Sequence, residues 1–592
     1  MSVYDDIKLY SLHDKFIVQP KDSVEELIIN RINGTVTVQG ITNQFYDSRT
    51  LRHVCGILGT IKLISGKYLV VATHRDFVGV VNGHVIWRLA GHDLIPYIPS
   101  SIHLSETQKV QNETYLSMIN QTLNTPFFYF SYAYDLTHTL QRLSALDSNF
   151  YESGMAQRAD SRFMWNGFLL KDFLTTSLRR FCLPIVHGFI SINQVNVNNS
   201  TFTWALISRR SVYRAGTRFF RRGIDKNGDC ANFVETEQIV TYLNDKVSFV
   251  QIRGSIPLYW SQSPNIRYKP ALTIDLSKEH LSAALKHAEK VLKTYGRHVY
   301  VNLIDHRGKE ELLEKGFANL ISQLGLPNIR YESFDFHAEC RKMQWHRLNI
   351  LIDRLAHEQD EMGVFQVKTD GTVISTQSGV FRTNCIDCLD RTNVVQSMLA
   401  RRSLQQVLEK LNILSIGQTI QSVTAFDSLF KNVWADNADL ISLQYSGTGA
   451  LKTDFTRTGK RTIQGAMQDG VNSLTRYIKN NFSDGFRQDA INLFLGNYVI
   501  QEGEGKLVPC PLEVRKGWKQ ATFPSVLVFA VAMFCASVIL PQEYNTENLL
   551  FMLFWSSMIG VTLKGIFRFG SEFVDFPKLL PCIDQNNVNK IL

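Results

Sequence analysis

Residues 521–540, ATFPSVLVFAVAMFCASVIL, run without a single charged side chain. Twenty helical residues reach about 30 Å, the thickness of a bilayer's hydrocarbon core. Pro524 falls in the first turn, where proline is tolerated, and Pro541 marks the end. A second apolar stretch, residues 549–569, opens LLFMLFWSSMIGVTL and continues past Lys564 and Arg568, whose long stems can carry their charges to a headgroup region. The connector PQEYNTEN holds no Lys or Arg, whereas Arg515, Lys516 and Lys519 precede the pair and Lys564 and Arg568 close it. The positive-inside bias then places both outer flanks in the cytosol. A two-helix transmembrane hairpin is expected, carrying a large cytosolic N-terminal part. The competing reading of such stretches is a buried core helix.

The rest of a 592-residue chain is too long for one core, so two or three domains are expected. Nine sparse cysteines make no disulfide framework and fit a reducing compartment. The N-terminus, MSVYDDIKLYSLHDKF, has acids and no apolar run, unlike a signal peptide. The net charge of +9 attracts anions without distinguishing nucleic acid from lipid, and the hairpin decides for the membrane and against nucleic acid. β-branched alternation at residues 35–41, 53–64, 67–74, 84–89, 202–213, 248–260 and 298–305 reads as strands, and residues 281–295 and 311–325 carry helical periodicity. The expected class is mixed α/β. A boundary between two soluble parts is drawn near residue 180, and residues 506–520 form a basic linker to the hairpin.

Chemistry concentrates in residues 382–393, RTNCIDCLDRTN. Val373, Ile374, Val380 and Phe381 precede it, and Val394, Val395, Met398, Leu399, Leu404, Val407, Leu408 and Leu411 follow on one helical face. The predicted context is strand, tight loop, helix. A loop entering a helix N-terminus cradles a phosphate with unpaired N–H groups and a partial positive charge. The same field favours a thiolate nucleophile at Cys385. Arg391, with five residues between it and Cys385, offers a planar fork for phosphate oxygens. This is the Cys-x5-Arg spacing of cysteine-dependent phosphatases. Cys385 and Cys388 also make a C-x-x-C, the spacing of a redox pair or half a zinc site, with His337 and Cys340 the nearby second ligand pair.

The whole string resembles, without a gap, the signature R-x-N-C-x-D-C-L-D-R-T-N of the Sac-domain phosphoinositide phosphatases. Residues 214–238, 253–262, 302–310, 334–341 and 444–461 resemble further family segments, and the paired apolar stretches resemble the family's integral-membrane member of the endoplasmic reticulum and Golgi. The resemblance implies an N-terminal β-rich subdomain (1–180) packed on a catalytic α/β phosphatase domain (181–505), then the linker, the transmembrane helices 521–540 and 549–569, and a cytosolic tail, 570–592. It implies that Cys385 forms a phosphocysteine, that Arg391 binds phosphate, and that Asn384, Ile386, Cys388, Leu389, Asp390 and Thr392 surround the substrate. Substrates would be phosphatidylinositol 4-phosphate first, then the 3-phosphate, with the 3,5-bisphosphate a further candidate. No metal and no cofactor are implied, and protein partners are undefined.

Protein tyrosine phosphatases place a histidine where this chain has Asn384 and take a general acid from a Trp-Pro-Asp loop that is missing here. The acid must come from elsewhere, and Asp387 is favoured over Asp390, on the expectation that a nearby phosphate raises its pKa. Thr392 is a candidate for positioning water, or a plain helix-start residue. The basic-aromatic stretch RAGTRFFRRG (214–223), like Lys460 and Arg461, reads either as a headgroup contact or as a solvated loop. The chain ends VNKIL, with Lys590 third from the end, a departure from the dilysine retrieval signal of some members. The expected location remains the endoplasmic reticulum membrane and also the Golgi membrane. Two alternatives stay open: a phosphoprotein phosphatase, and a catalytically silent phosphoinositide-binding tether.

Overall fold

The strands begin where β-branched and aromatic residues alternate with polar ones, and they break at Gly and Asn turns. In the computed structural model, which describes residues 2–41, 50–99, 103–147, 150, 152–341, 344–460, 462–513, 517–541 and 545–580, they gather into a five-stranded and a thirteen-stranded sheet with a two-stranded ribbon besides. Arg461, Arg515, Lys516, Cys582 and Lys590 lie outside the described residues. The smaller sheet is antiparallel and is formed by Ile7–Ser11, Lys15–Pro20, Glu25–Asn30, Val36–Gly40 and Leu51–Val54.

The larger sheet changes character along its length. From Gly56–Leu63 through Gly66–Val81, His84–Pro96, Phe128–Phe130, Val186–Val197, Ser200–Arg210 and Val234–Tyr242 to Asp245–Arg253, neighbours pair antiparallel. Segments on both sides of residue 180 therefore share one sheet. Beyond Asp245–Arg253 the pairing turns parallel: Gly379–Asn384 comes next, then Arg297–Asn302, then Ile329–Ser333. The strand Gly379–Asn384 is latest in sequence yet lies between two earlier strands.

Helices cover both faces of this parallel part, as parallel sheets require. On one face Leu351, Leu355, Val395 and Leu399 of helices Leu348–Met362 and Asp390–Lys410 pack on Phe249, Val299, Val301 and Phe381. On the other, Ala284 of His280–Tyr295 and Phe317 and Leu320 of Glu311–Leu324 pack on Ile256, Leu258 and Tyr300. The fold is thus mixed α/β, as the alternation of elements predicts.

Two C-terminal helices, Trp518–Ile539 (22 residues) and Thr546–Arg568 (23 residues), are long and apolar enough to cross a membrane, and each has a single buried residue, Ala530 and Thr562. They pack on each other, with the Phe529 ring edge-on to Trp555 at 5.6 Å. Hydrophobic residues that no protein covers need another apolar solvent, which a bilayer supplies. After the second helix the chain returns to the catalytic body. Asp575 N–H donates to the Asn481 carbonyl (2.8 Å), its carboxylate accepts from Phe486 N–H (2.8 Å), and Asp489 accepts from the N–H groups of Lys578 (2.7 Å) and Leu579 (3.0 Å). The Leu579 side chain is buried.

Candidate active site

A strand buried on both faces should read as continuously apolar. Gly379, Val380 and Phe381 comply; Arg382, Thr383 and Asn384 do not, although all three are fully buried. Such polarity is costly unless hydrogen-bonded. Arg382 donates to the carbonyls of Gly254 (3.1 Å) and Ser255 (2.7 Å) and lies 3.1 Å from His287 Nε2. Asn384 Nδ2 donates to Asn302 Oδ1 (2.5 Å), and Asn302 Nδ2 to the Tyr331 hydroxyl (2.8 Å). These bonds fasten the C-terminal ends of four parallel strands together. In open α/β sheets that edge is where ligands bind.

Cys385 is the next residue. Residues 385–389 turn from the strand into the 21-residue helix Asp390–Lys410. Cys388 adopts φ +53°, a left-handed conformation uncommon for a side-chain-bearing residue and typical of strained functional loops. The helix N-cap, Leu389, has no side chain to cap the first turn, and the first ladder bond runs from Asn393 N–H to the Leu389 carbonyl (2.8 Å). The N–H groups before it are left for an anion. Strand, loop and helix stand where the motif's flanks predict.

A cavity of about 840 Å³ opens above the loop. Of the residues singled out in the sequence, Cys385, Ile386, Asp387, Asp390 and Arg391 line it. Asn384, Cys388, Leu389 and Thr392 do not, because their side chains point into the body beneath the loop. The Asn384 side chain is spent on Asn302. Cys388 donates to the Gly254 carbonyl (2.9 Å), and burial, with Cys385 close by, pushes its thiol up to about 12. Leu389 packs with Val234, Ile441 and Tyr445. Thr392 is fully buried, which puts its hydroxyl out of reach of water in the cavity. All eight described cysteines are free thiols.

The two loop aspartates differ sharply. Burial alone would push the Asp387 carboxyl up, but the charges and hydrogen bonds of Arg218 and Arg222 outweigh it and hold the group far below the ordinary carboxylate range. Arg218 makes a two-pronged contact (2.9 and 2.8 Å) and Arg222 adds a bond of 2.6 Å. The expectation of a raised pKa at Asp387 rests on a phosphate beside it, and the two arginines act in the opposite direction. Asp390 has no such clamp. Burial pushes its carboxyl up against the opposing charge of Arg476, and Leu451 N–H donates to it at 3.0 Å.

Arg218 and Arg222 also correct the reading of residues 214–223 as a solvated loop, and Arg218 and Phe219 line the cavity. The stretch folds inward, with Thr217, Phe219, Phe220 and Arg222 buried. Arg222 donates further to the Ile386 carbonyl (2.8 Å) and Gln262 Oε1 (2.8 Å), and Asn232 Nδ2 to the Asp387 carbonyl (3.1 Å). Arg391 is likewise engaged. Its guanidinium donates to the Leu303 carbonyl (2.9 Å), Glu310 (3.0 and 3.1 Å) and Asp305 (3.3 Å). Arg253, fully buried below the loop, reaches Asn393 Oδ1 (3.3 Å); burial lowers its pKa to about 10, so it is still a cation at neutral pH. Residues 253–262 and 302–310 stood out in the sequence as family-like segments, without chemical roles. Among the described residues no three His, Cys, Asp or Glu side chains converge to hold a metal. His337 instead meets Asp305 at 2.7 Å.

Comparison with known proteins accounts for this arrangement. The family model described as the SacI homology domain matches residues 55–341. Phosphatidylinositol-3-phosphatase SAC1 of Drosophila melanogaster is 57% identical over 98% of both chains. Phosphatidylinositol-3-phosphatase SAC1-B of Danio rerio is 47% identical over 98% of this chain and 99% of its own. Phosphatidylinositol-3-phosphatase SAC1 of Saccharomyces cerevisiae is 37% identical over 89% of this chain and 85% of its own. Likeness of this extent reaches from the sheets through the site loop to the apolar helices, and the chain belongs to the Sac-domain phosphoinositide phosphatases.

Proposed function

We propose that this phosphatase removes phosphate from phosphatidylinositol 4-phosphate first, then from the 3-phosphate and the 3,5-bisphosphate, through a phosphocysteine at Cys385. It would act from the cytosolic face of the endoplasmic reticulum and Golgi membranes. One observation carries the mechanism: Cys385 ends the central parallel strand, abuts an uncapped helix N-terminus and opens on the cavity that Arg391 shares. The names of the fly, zebrafish and yeast relatives support a phosphatidylinositol phosphate as substrate.

The Cys385 thiolate bonds to phosphorus as the bond from phosphorus to the inositol oxygen breaks. Arg391 and the first-turn N–H groups hold the equatorial oxygens, where charge spreads in the transition state. A phosphate dianion competes with Glu310 and Asp305 for the Arg391 fork. The leaving oxygen needs a proton. We assign it to Asp390, whose buried carboxyl is pushed toward the protonated form, and we assign Asp387 the role of an anionic clamp on Arg218 and Arg222. Water then cleaves the sulfur–phosphorus bond, returning the thiolate and releasing inorganic phosphate.

The test is phosphate release by the full chain in mixed micelles, across the phosphoinositides and a phosphopeptide, with Cys385→Ser as control. The expected result is fastest release from phosphatidylinositol 4-phosphate and none from the control. An active serine variant, or a preference for the phosphopeptide, overturns the proposal.

A further inference from the structure

The helix Ile463–Phe482 has two unlike faces. One carries Ser473, Arg476, Tyr477, Asn480 and Asn481 on the wall of the Cys385 cavity. The other shows Ile463, Met467, Val471, Leu474, Ile478 and Phe482 to solvent, each about half exposed or more. Their spacing of three and four residues makes one apolar stripe along all 20 residues of the helix. Single exposed apolar residues are ordinary, but a continuous stripe of six is not.

The surroundings say what covers it. The Tyr477 hydroxyl donates to the Ile266 carbonyl (2.6 Å), and Asn481 Oδ1 accepts from Ile266 N–H (3.1 Å), which seats the helix against residues 265–269. The chain leaving the second apolar helix touches the same segment: a Cβ built on Gly570 would stand 2.2 Å from the Asn265 carbonyl oxygen. The C-terminal end of the helix therefore lies beside the segment that the chain meets on leaving the apolar hairpin. Arg267, Tyr268 and Lys269 on that segment, and Lys460 just before the helix, are exposed. Cations and an aromatic ring beside an apolar helix face form the pattern of a helix lying in the headgroup region of an anionic bilayer.

We propose that helix Ile463–Phe482 beds its apolar stripe in the membrane interface, so that its opposite face holds the mouth of the Cys385 cavity against lipid headgroups. This rests on the lipid-phosphatase reading. The helix's contribution is to bring substrate and cavity together and not to take part in the chemistry.

The experiment uses the full chain reconstituted in vesicles of phosphatidylcholine with phosphatidylserine. The variant combines Met467→Ser, Leu474→Ser and Ile478→Ser, all on the exposed face. Its turnover of long-chain phosphatidylinositol 4-phosphate in the bilayer should fall about tenfold, the effect of ~1.4 kcal/mol, while release from a short-chain, water-soluble analogue stays within about twofold. A wild-type chain that releases phosphate from neither substrate would sink the phosphatase reading instead. Equal loss on both substrates, or no loss on either, overturns the proposal; the second result would fit a stripe that docks a protein. Independently, p-benzoylphenylalanine in place of Leu474 should crosslink to lipid on illumination in the same vesicles, and absence of lipid adducts overturns it.

Discussion

The nucleophile loop, residues 385–391, and the arginine loop, residues 214–223, meet at Asp387, and they contribute opposite things. The first loop carries the proposed nucleophile and the uncapped helix start, and is strained at Cys388. The second brings two cations that bind an aspartate of the first loop and hold it in its ionised form. A Cys-x5-Arg loop is thus only half of this site, and its shape depends on charges supplied from a distant part of the chain.

The comparison breaks most completely at the nucleophile. Cys385→Ser should cut phosphate release by on the order of a thousandfold or more while thermal unfolding stays unchanged. Arg391→Ala should come next, with a loss of about 10² to 10³ in kcat/KM, since a fork aimed at transition-state charge is removed and Glu310 and Asp305 lose their partner.

The arginine loop is tested by stability. Arg222→Met leaves a buried carboxylate short of a partner and should cost about 3–5 kcal/mol in chemical denaturation at pH 7. Asp387 has a depressed folded pKa, so its stabilisation is present above the unfolded value of about 3.9 and is lost as pH falls through the folded value. The stability gap between wild type and Asp387→Asn should accordingly be widest near neutrality and narrow below about pH 4. Asp390 runs the other way. Its folded pKa is raised, so the stability it contributes is present below about 3.9 and lost as pH rises through the folded value. Asp390→Asn should fold at least as well as wild type at pH 7, yet lose about 10²-fold in kcat with the basic limb of the pH–rate profile gone. If Asp387→Asn erases that limb instead, the two aspartates have exchanged roles. The smallest effect is expected at Cys388→Ala: about 1 kcal/mol of stability for one lost hydrogen bond, with turnover within severalfold.

The hairpin and the nucleophile loop were legible in the sequence because each is local: twenty uncharged residues, and a twelve-residue string flanked by strand and helix patterns. Arg218, Arg222, Arg253, Asp305 and Glu310 were not, because sheet closure brings them to the loop from more than eighty residues away. An arginine in a polar stretch looks the same in sequence whether it faces water or a buried carboxylate. The apolar stripe of Ile463–Phe482 was equally hidden, since helical spacing shows that one face is apolar but not that nothing in the protein covers it. The resemblance gathers Asn384, Cys388, Leu389 and Thr392 around the substrate as part of one string, but it does not show that their side chains are buried, because a tight loop sends neighbouring side chains to opposite sides.

The strand that ends at Cys385 lies between two partners that both precede it in the chain. During synthesis, Asp245–Arg253 and Arg297–Asn302 emerge first with a vacancy between them, and the last strand must be inserted like a closing wedge. Long-range parallel pairing of this kind forms slowly. The loop that follows this strand, with Cys385 and Arg391, can therefore take its place only after both neighbouring strands have been made.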